Sequence, residues 1–539
     1  MKDYINVNDF KEMLDTMTKK FGDFDAFLFR DSEGITSRSY NDFANDISAF
    51  ATALHNELSS GNKISLVGET SYDWIVAYFS VILSGNIVVP IDKELSDGEI
   101  LNIIADSDST GLIYSQTYKP IANKLRGKIK SFRIGDWEKD PTSTGEMIIK
   151  GYELMCREDN FYDEYTPDPD AVCAILYTSG TTGKAKGIML TQRNFCKVVE
   201  GALSVLTLGE KALSVLPLNH SYGFSHGMLM MLANGTTVCL NESLRYFMKD
   251  LQEFAPDCMC VVPMFAQLMY KKAVQLLGED ILEEKLKESR ELLTRGIDKR
   301  NEIFADIHKL FGGNLQLIIC GGAPLSAQLM KAFREFGILM LNGYGITECS
   351  PLVSVNWNEK YCDGSVGLPI GCVEIDVRNP DENGQGEIWV KGPNVMKGYY
   401  KNPQATAQVM DGDYFNTGDI GYIKDGFLFI TGRAKNIIVL SNGKNVYPEE
   451  LEEQIEKLPS VSEAVVYAKK NSEKITAQVF PSPDYNFEGD PLSQIKKQID
   501  EINKDLPLFK QIREIELRDE PFEKTTTKKI KRSSLKKEC

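Results

Sequence analysis

Tyr177-Thr178-Ser179-Gly180-Thr181-Thr182-Gly183-Lys184-Ala185-Lys186-Gly187 is the stretch on which the reading of this chain turns. The apolar run Ala171 to Leu176 leads into it and Ile188 to Leu190 leaves it, so it reads as a tight loop between two strands. Four short hydroxyl side chains, three glycines and two lysines share eleven positions. That composition suits a polyphosphate. Glycine lets backbone N–H groups turn toward an anion, Ser and Thr add short donors, and Lys adds mobile positive charge. The Walker spacing is not met, because only two residues separate Gly180 from Gly183 and Ala185 follows Lys184. No helix is predicted to start inside the loop, so a helix dipole is not the source of attraction. A plain Gly/Thr surface turn is the competing reading, and the density of donors argues against it.

With 539 residues the chain is too long for one ordinary core, and two or more domains are expected. Hydrophobic content of 42% and charged content of 26% fit a globular protein. A net charge of −16 argues against nucleic acid as the main partner. The eleven cysteines are odd in number and scattered, without a C-x-x-C, which speaks against a zinc site and for a reduced, cytoplasmic compartment. Met1 to Tyr4 leads into no apolar signal segment. The longest uncharged run, Trp74 to Ile91, reads as a buried helix and strand, not a membrane span.

Taken in order, residues 1–170 alternate helical and strand patterns. Asn41 to Leu58, Ser71 to Leu83 and Asp97 to Ala105 read as helices; Lys63 to Val67, Ile87 to Val89 and Gly111 to Tyr114 read as strands. Such alternation predicts a parallel, doubly wound sheet. Asp136 to Asp170 reads as a long polar connection. Beyond the loop, Thr191 caps a helix, and Leu216-Pro217-Leu218-Asn219-His220-Ser221-Tyr222-Gly223-Phe224 forms a His-aromatic turn. The apolar Met228 to Leu232 follows, either as core or as the wall of an acyl pocket. Leu315 to Cys320, the turn Gly321-Gly322-Ala323-Pro324, a helix ending at Gly337 and Ile338 to Leu341 form a strand–helix–strand unit. Ligands in such sheets bind beyond the carboxyl ends of the strands, where Gly321 to Ala323 and the next turn, Asn342-Gly343-Tyr344-Gly345-Ile346-Thr347-Glu348, fall. Residues 364–430 read as short strands with Gly/Asn/Asp turns and contain Tyr414-Phe415-Asn416-Thr417-Gly418-Asp419, then Thr431-Gly432-Arg433-Ala434-Lys435. A glycine loop at Ser441-Asn442-Gly443-Lys444-Asn445 and a basic end, Lys524 to Arg532, close the inventory. The basic end could also give peripheral contact with an anionic membrane.

These pieces, in this order, resemble the signature set of the adenylate-forming superfamily, which includes acyl-CoA synthetases, peptide-synthetase adenylation domains and luciferases. Ala185 stands where the family usually has Pro, and Lys528 where it usually has Gly. The detail around His220 and Ser441 to Glu450 is most similar to long-chain fatty acyl-CoA synthetases. The fold so implied is α/β: a large N-terminal domain, residues 1–434, of doubly wound sheets with a β-rich subdomain near 364–434, then a small mobile α+β domain, 435–539.

The resemblance implies ATP, Mg²⁺ and coenzyme A as cofactors or co-substrates. It places Thr178, Ser179, Gly180, Thr182, Gly183, Lys184 and Lys186 around the phosphates, and Gly321, Gly322, Ala323, Tyr344 and Gly345 around adenine. Thr347 meets the α-phosphate, and Thr181 and Glu348 hold the metal. Asp419 and Arg433 meet the ribose. Lys435 is the hinge and Gly443 lines a pantetheine channel. Lys529, Thr181, Glu348 and His220 form the catalytic set, with Lys528 the alternative lysine. His220 without a nearby acid at that motif is like the members that use plain carboxylic acids. The implied reaction joins a carboxylic acid, of the medium- or long-chain fatty kind, to AMP with loss of pyrophosphate and then to the CoA thiol. An acyl-carrier protein is the alternative acceptor, an inactive nucleotide-binding regulator is the reading from another class, and the oligomeric state is left open.

Overall fold

The computed structural model describes residues 6–31, 34–135, 140–157, 160–178, 185–241, 243–440, 445–469, 474–524 and 530–532. They fall into two compact units. One draws on Met1–Gly180, Ala185–Glu374 and Lys391–Tyr414, the other on Ile375–Val390 and Phe415–Cys539.

The first unit holds two mixed sheets. In the seven-stranded sheet, Val172–Thr178, Ile87–Ile91, Lys63–Val67, Gly111–Tyr114 and Lys130–Arg133 run parallel in that spatial order, and Lys186–Thr191 and Gly398–Tyr399 add antiparallel at one edge. In the nine-stranded sheet, Leu339–Gly345, Leu317–Cys320, Cys258–Val261, Lys211–Ser214, Thr237–Leu240 and Asp25–Arg30 are parallel neighbours. Antiparallel strands close both of its edges. Parallel strands read as continuous apolar runs because both faces are covered; Leu317–Cys320 and Cys258–Val261 are buried throughout. The helices that follow the strands start on side-chain caps: Ser39, Ser96 and Thr191 each form a reciprocal capping box.

One aromatic cluster ties these layers together. Phe224 stacks on Tyr78 with ring centroids 3.9 Å apart and lies 5.4 Å from Phe195 and 5.8 Å from Phe79; Phe10 lies 5.3 Å from Phe79. Such pairs add roughly 0.5–1.5 kcal/mol each beyond plain burial. The cluster anchors the short helix Ser221–Phe224 that carries the His-aromatic motif.

The polar connection read at 136–170 is in part a helix, Thr144–Cys156. It escapes the sequence pattern because few of its side chains are buried: Gly151 lets it lie against the backbone of helix Tyr40–Leu58. A Cβ at Gly151 would sit 1.9 Å from Ala49 O. Gly151→Ala is therefore expected to cost about 1–3 kcal/mol or more by overpacking, read as a lower urea midpoint at unchanged slope.

The second unit contains an antiparallel sheet of Glu374–Arg378, Gly386–Lys391, Tyr414–Lys424 and Phe427–Arg433. It also contains a three-stranded sheet, Val461–Ala468, Ile475–Pro481 and Ile512–Leu517, packed by helices Pro448–Glu456 and Pro491–Asp505. The core of that α+β piece is Leu451, Ile455, Val466, Ala477, Val479, Ile495 and Ile499, all 0–1% exposed. The stretch 364–430, read from the sequence as short strands and turns and divided between the two units, also holds the helix Pro403–Val409.

Candidate active site

The first unit assembles one cluster from segments distant in sequence. Thr178 and Lys186 face each other as the last register pair of the Val172–Thr178 and Lys186–Thr191 hairpin. Ser179, Gly180, Thr181, Thr182, Gly183 and Lys184 lie outside the described residues, as do Gly443, Lys528 and Lys529.

Helix Gln192–Leu203 fixes what lies beside that hairpin. Its cap-box residue Asn194 donates through Nδ2 to Pro393 O at 2.7 Å and Val395 O at 3.0 Å. The segment so held continues with Met396 N–H donating to Glu348 O at 2.8 Å and Tyr400 N–H to Gly187 O at 2.7 Å. Between them Tyr399 pairs with Ile188. The Tyr399 ring lies 4.9 Å from Lys186 Nζ, and its O–H donates to Glu348 Oε1 at 3.0 Å. A cation, an aromatic ring and a carboxylate thus stand in a row, connecting the end of the glycine loop with the Tyr344–Glu348 motif. Burial, and then the neighbouring Glu348 charge, push the Tyr399 phenol well up, so it stays protonated and can only donate to the carboxylate.

The Tyr344–Glu348 motif is not the simple turn the sequence pattern predicts. The strand Leu339–Gly345 runs on through Tyr344 and Gly345 and pairs antiparallel with Leu352–Val355. Gly345 is required by this pairing, since a Cβ there would lie 2.0 Å from Pro351 O. The chain turns only afterwards, at Thr347–Cys349, leaving Thr347 and Glu348 half-buried. Ser221 Oγ donates to Thr347 Oγ1 at 3.2 Å. Tyr222 O–H donates to Ile319 O at 2.9 Å, and its ring lies beside Gly321 and Gly322: a Cβ on Gly321 would be 3.3 Å from it. Gly322 adopts φ +81°, a left-handed conformation that glycine takes freely. Ala323 follows in the same turn beyond the strand Leu317–Cys320.

His220 sits at the start of the Ser221–Phe224 helix with Nε2 3.4 Å from Asp92 Oδ2, just past the carboxyl end of strand Ile87–Ile91. After Phe224 the helix widens for one turn, Ser225–Leu229, to π-helical spacing, a distortion frequent at functional sites. It carries His226, 1% exposed, whose ring nitrogens have no hydrogen-bonding partner among the described residues. Burial drives His226 down to about 3, so this imidazole is neutral. Met228 to Leu232 are wholly buried.

The second unit places Asp419 and Arg433 opposite each other in register, with Arg433 Nε 2.6 Å from Asp419 Oδ1. Asp419 is 3% exposed. Gly418, at φ +70°, kinks the strand just before it. Lys435 is exposed on the short turn Ala434–Asn436, whose Asn436 donates to Glu449 Oε1 at 2.6 Å.

Glu348 offers a hard carboxylate oxygen of the kind Mg²⁺ takes together with phosphate oxygens. Among the described residues no three His, Cys, Asp or Glu side chains converge as a closed metal site. Tyr399, Asp92 and His226 are additions that sequence reading missed; Gly398 ahead of Tyr399 was the one local cue to an altered backbone there.

Comparison with known proteins gives the family. Residues 14–400 match the family described as AMP-binding enzyme, and residues 435–539 match the AMP-binding enzyme C-terminal domain. The chain is 29% identical over 455 residues to the long-chain-fatty-acid–CoA ligase FadD15 of Mycobacterium bovis, covering 78% of this chain and 74% of that one. It is 28% identical to the long-chain-fatty-acid–[acyl-carrier-protein] ligase AEE15, chloroplastic, of Arabidopsis thaliana, covering 88% of this chain and 76% of that one. In fold it matches ATP-bound MatB from Rhodopseudomonas palustris with a TM-score of 0.78 at 22% identity, over 98% of both chains. It also matches the anthranilate CoA ligase AuaEII in complex with anthranoyl-AMP, with a TM-score of 0.77 at 20% identity, over 98% of this chain and 96% of that one. With a family match spanning well over half its length, this chain belongs to the AMP-binding enzymes.

Proposed function

We propose that the chain activates a medium- or long-chain fatty acid with ATP, giving acyl-AMP and pyrophosphate, and passes the acyl group to the thiol of coenzyme A, releasing AMP. The observation that carries this reading is the Lys186–Tyr399–Glu348 row, which brings a cation from the glycine loop and a carboxylate from the Tyr344–Glu348 motif to the two sides of one tyrosine. The names of the relatives support the acid and the acceptor: those cited above are a fatty-acid ligase to CoA and one to an acyl-carrier protein. The carrier-protein thiol is accordingly the second reading for the acceptor.

In the first half-reaction the carboxylate oxygen attacks the α-phosphorus in line, the bond to the bridging oxygen breaks, and pyrophosphate leaves with the electron pair. Both reactants are anionic, so charge must be neutralised where they meet. Lys186 and the loop from Thr178 to Lys184 bind the phosphates. A Mg²⁺ ion held by Glu348 and Thr181, when bound, supplies further positive charge to the phosphate oxygens. Tyr399 holds the Glu348 carboxylate in one orientation. Gly321, Gly322, Ala323, Tyr344 and Gly345 flank adenine, Thr347 meets the α-phosphate, and Asp419 and Arg433 bind the ribose hydroxyls, which a carboxylate can accept from together. His220 stands beside the acid carboxylate, backed by Asp92. Lys529 stabilises the first transition state. For the second half-reaction the small domain, 435–539, turns about Lys435, and Gly443 lines the pantetheine path. The thiolate attacks the acyl carbon and AMP departs.

We place the protein in the reducing cytoplasm, a reading supported by the described cysteines, none of which is joined in a disulfide. No helix of the described residues is long and apolar enough to cross a membrane.

The test is acid-dependent ATP–pyrophosphate exchange over a ladder of short, aromatic and fatty acids, followed by mass analysis of the thioester with CoA or a carrier protein present. Exchange that peaks with fatty acids and a CoA thioester are expected; exchange with no acid of the ladder would overturn the reading. Tyr399→Phe removes the O–H on Glu348 but keeps the ring under Lys186. It is expected to lower the exchange rate about tenfold, the worth of one hydrogen bond to a charged group.

A further inference from the structure

The small α+β piece shows how the chain on either side of residues 525–529 is held. Lys524 and Ile530 form an antiparallel bridge, and Lys531 N–H donates to Glu523 O at 2.7 Å. Ile530 packs on Val465 and Phe522. The incoming side is tied by Glu463: Lys524 Nζ is 2.6 Å from its Oε1, and Phe522 N–H donates to its Oε2 at 2.8 Å. The outgoing side is tied by Glu452. That carboxylate pairs with Arg532 Nη2 and accepts Val466 N–H at 2.6 Å, while Arg532 Nη1 donates to Val466 O at 3.3 Å. Arg532 and Glu452 thus grip both backbone groups of one residue on the outer strand Val461–Ala468.

We propose that Glu452 and Arg532 are positioning residues for adenylation: they fix the chain at residues 530–532, which follow the 528–529 lysine pair directly in sequence. The proposal rests on the acyl-adenylate reading above. Glu452 reaches Val466 from helix Pro448–Glu456, so the clamp locks residues 530–532, strand and helix to one another. Burial pushes Glu452 up to about 7 against the pull of Arg532 and the Val466 N–H, with Glu449 adding to the push. A carboxylate kept in so unfavourable a place is no ordinary surface contact. Glu449, whose Oε1 is 3.8 Å from Arg532, adds a weaker second partner. The clamp acts on the chain next to the lysine pair, not on the reacting atoms, so it should matter only in the half-reaction that uses the lysine.

The experiment compares wild type with Glu452→Gln, which keeps shape and hydrogen-bonding capacity but removes the charge, and with Arg532→Lys, which keeps the charge but removes the fork. Each is assayed for ATP–pyrophosphate exchange with dodecanoic acid and, separately, for thioester formation from supplied dodecanoyl-adenylate and CoA. Exchange is expected to fall about tenfold or more in both variants, with thioester formation within twofold of wild type. Unchanged exchange, equal loss of both half-reactions, or failure of both variants to fold would overturn the proposal. Should wild type itself show no acid-dependent exchange, the reading of the function fails, and that outcome is seen without any variant.

Discussion

Lys529→Ala is expected to slow acyl-adenylate formation by at least about 10²–10³-fold, the usual consequence of removing one preorganised charge from a transition state, and to leave thioester formation from a supplied acyl-adenylate intact. The asymmetry follows from where charge develops. In the first half-reaction negative charge builds on the α-phosphoryl oxygens and on departing pyrophosphate, and a lysine there is worth most. In the second, a thiolate adds to a carbonyl carbon, and charge builds on that carbonyl oxygen and on the departing AMP, after the proposed turn of the small domain has withdrawn the lysine. Rapid-quench measurement of AMP-ester formation and a separate thioester assay distinguish the two. A drop confined to Lys528→Ala would assign the role to the neighbouring lysine.

Glu348→Ala is the second large effect. It should lower the first half-reaction by about 10²–10³-fold and raise the Mg²⁺ concentration needed for half-maximal exchange, because in the proposed reaction this carboxylate would hold the metal against the phosphates. The fold should survive, since Met396 N–H meets the Glu348 backbone oxygen and is untouched by the substitution. Tyr399→Phe provides the graded comparison: the carboxylate remains, but the 3.0 Å hydrogen bond that orients it is gone. The order of activity wild type, Tyr399→Phe, Glu348→Ala is expected in exchange, with all three alike in melting temperature to within a few degrees.

The strand Gly111–Tyr114 was readable from the sequence because an unbroken apolar run between turn residues has few other uses. Local motifs were readable for the same reason that glycine is: Gly322 and Gly345 answer to backbone needs at their own positions. What local pattern cannot hold is partnership across the chain. Tyr399 meets Glu348 from 51 residues away, and His220 meets Asp92 from the start of a helix far along the chain. Helix Thr144–Cys156 was hidden because a close glycine contact, not an apolar stripe, seats it. Tyr344 and Gly345 looked like turn residues and are strand, because the pairing that extends the strand comes from Leu352–Val355 beyond the motif.

The most direct measurement follows one atom. A fatty acid carrying heavy oxygen in its carboxylate is turned over with ATP and CoA, and the AMP is weighed. If the acid's oxygen has attacked the α-phosphorus, AMP gains one labelled oxygen and pyrophosphate gains none. Unlabelled AMP, or label in a phosphate released alongside ADP, would contradict the acyl-adenylate chemistry at the centre of this account.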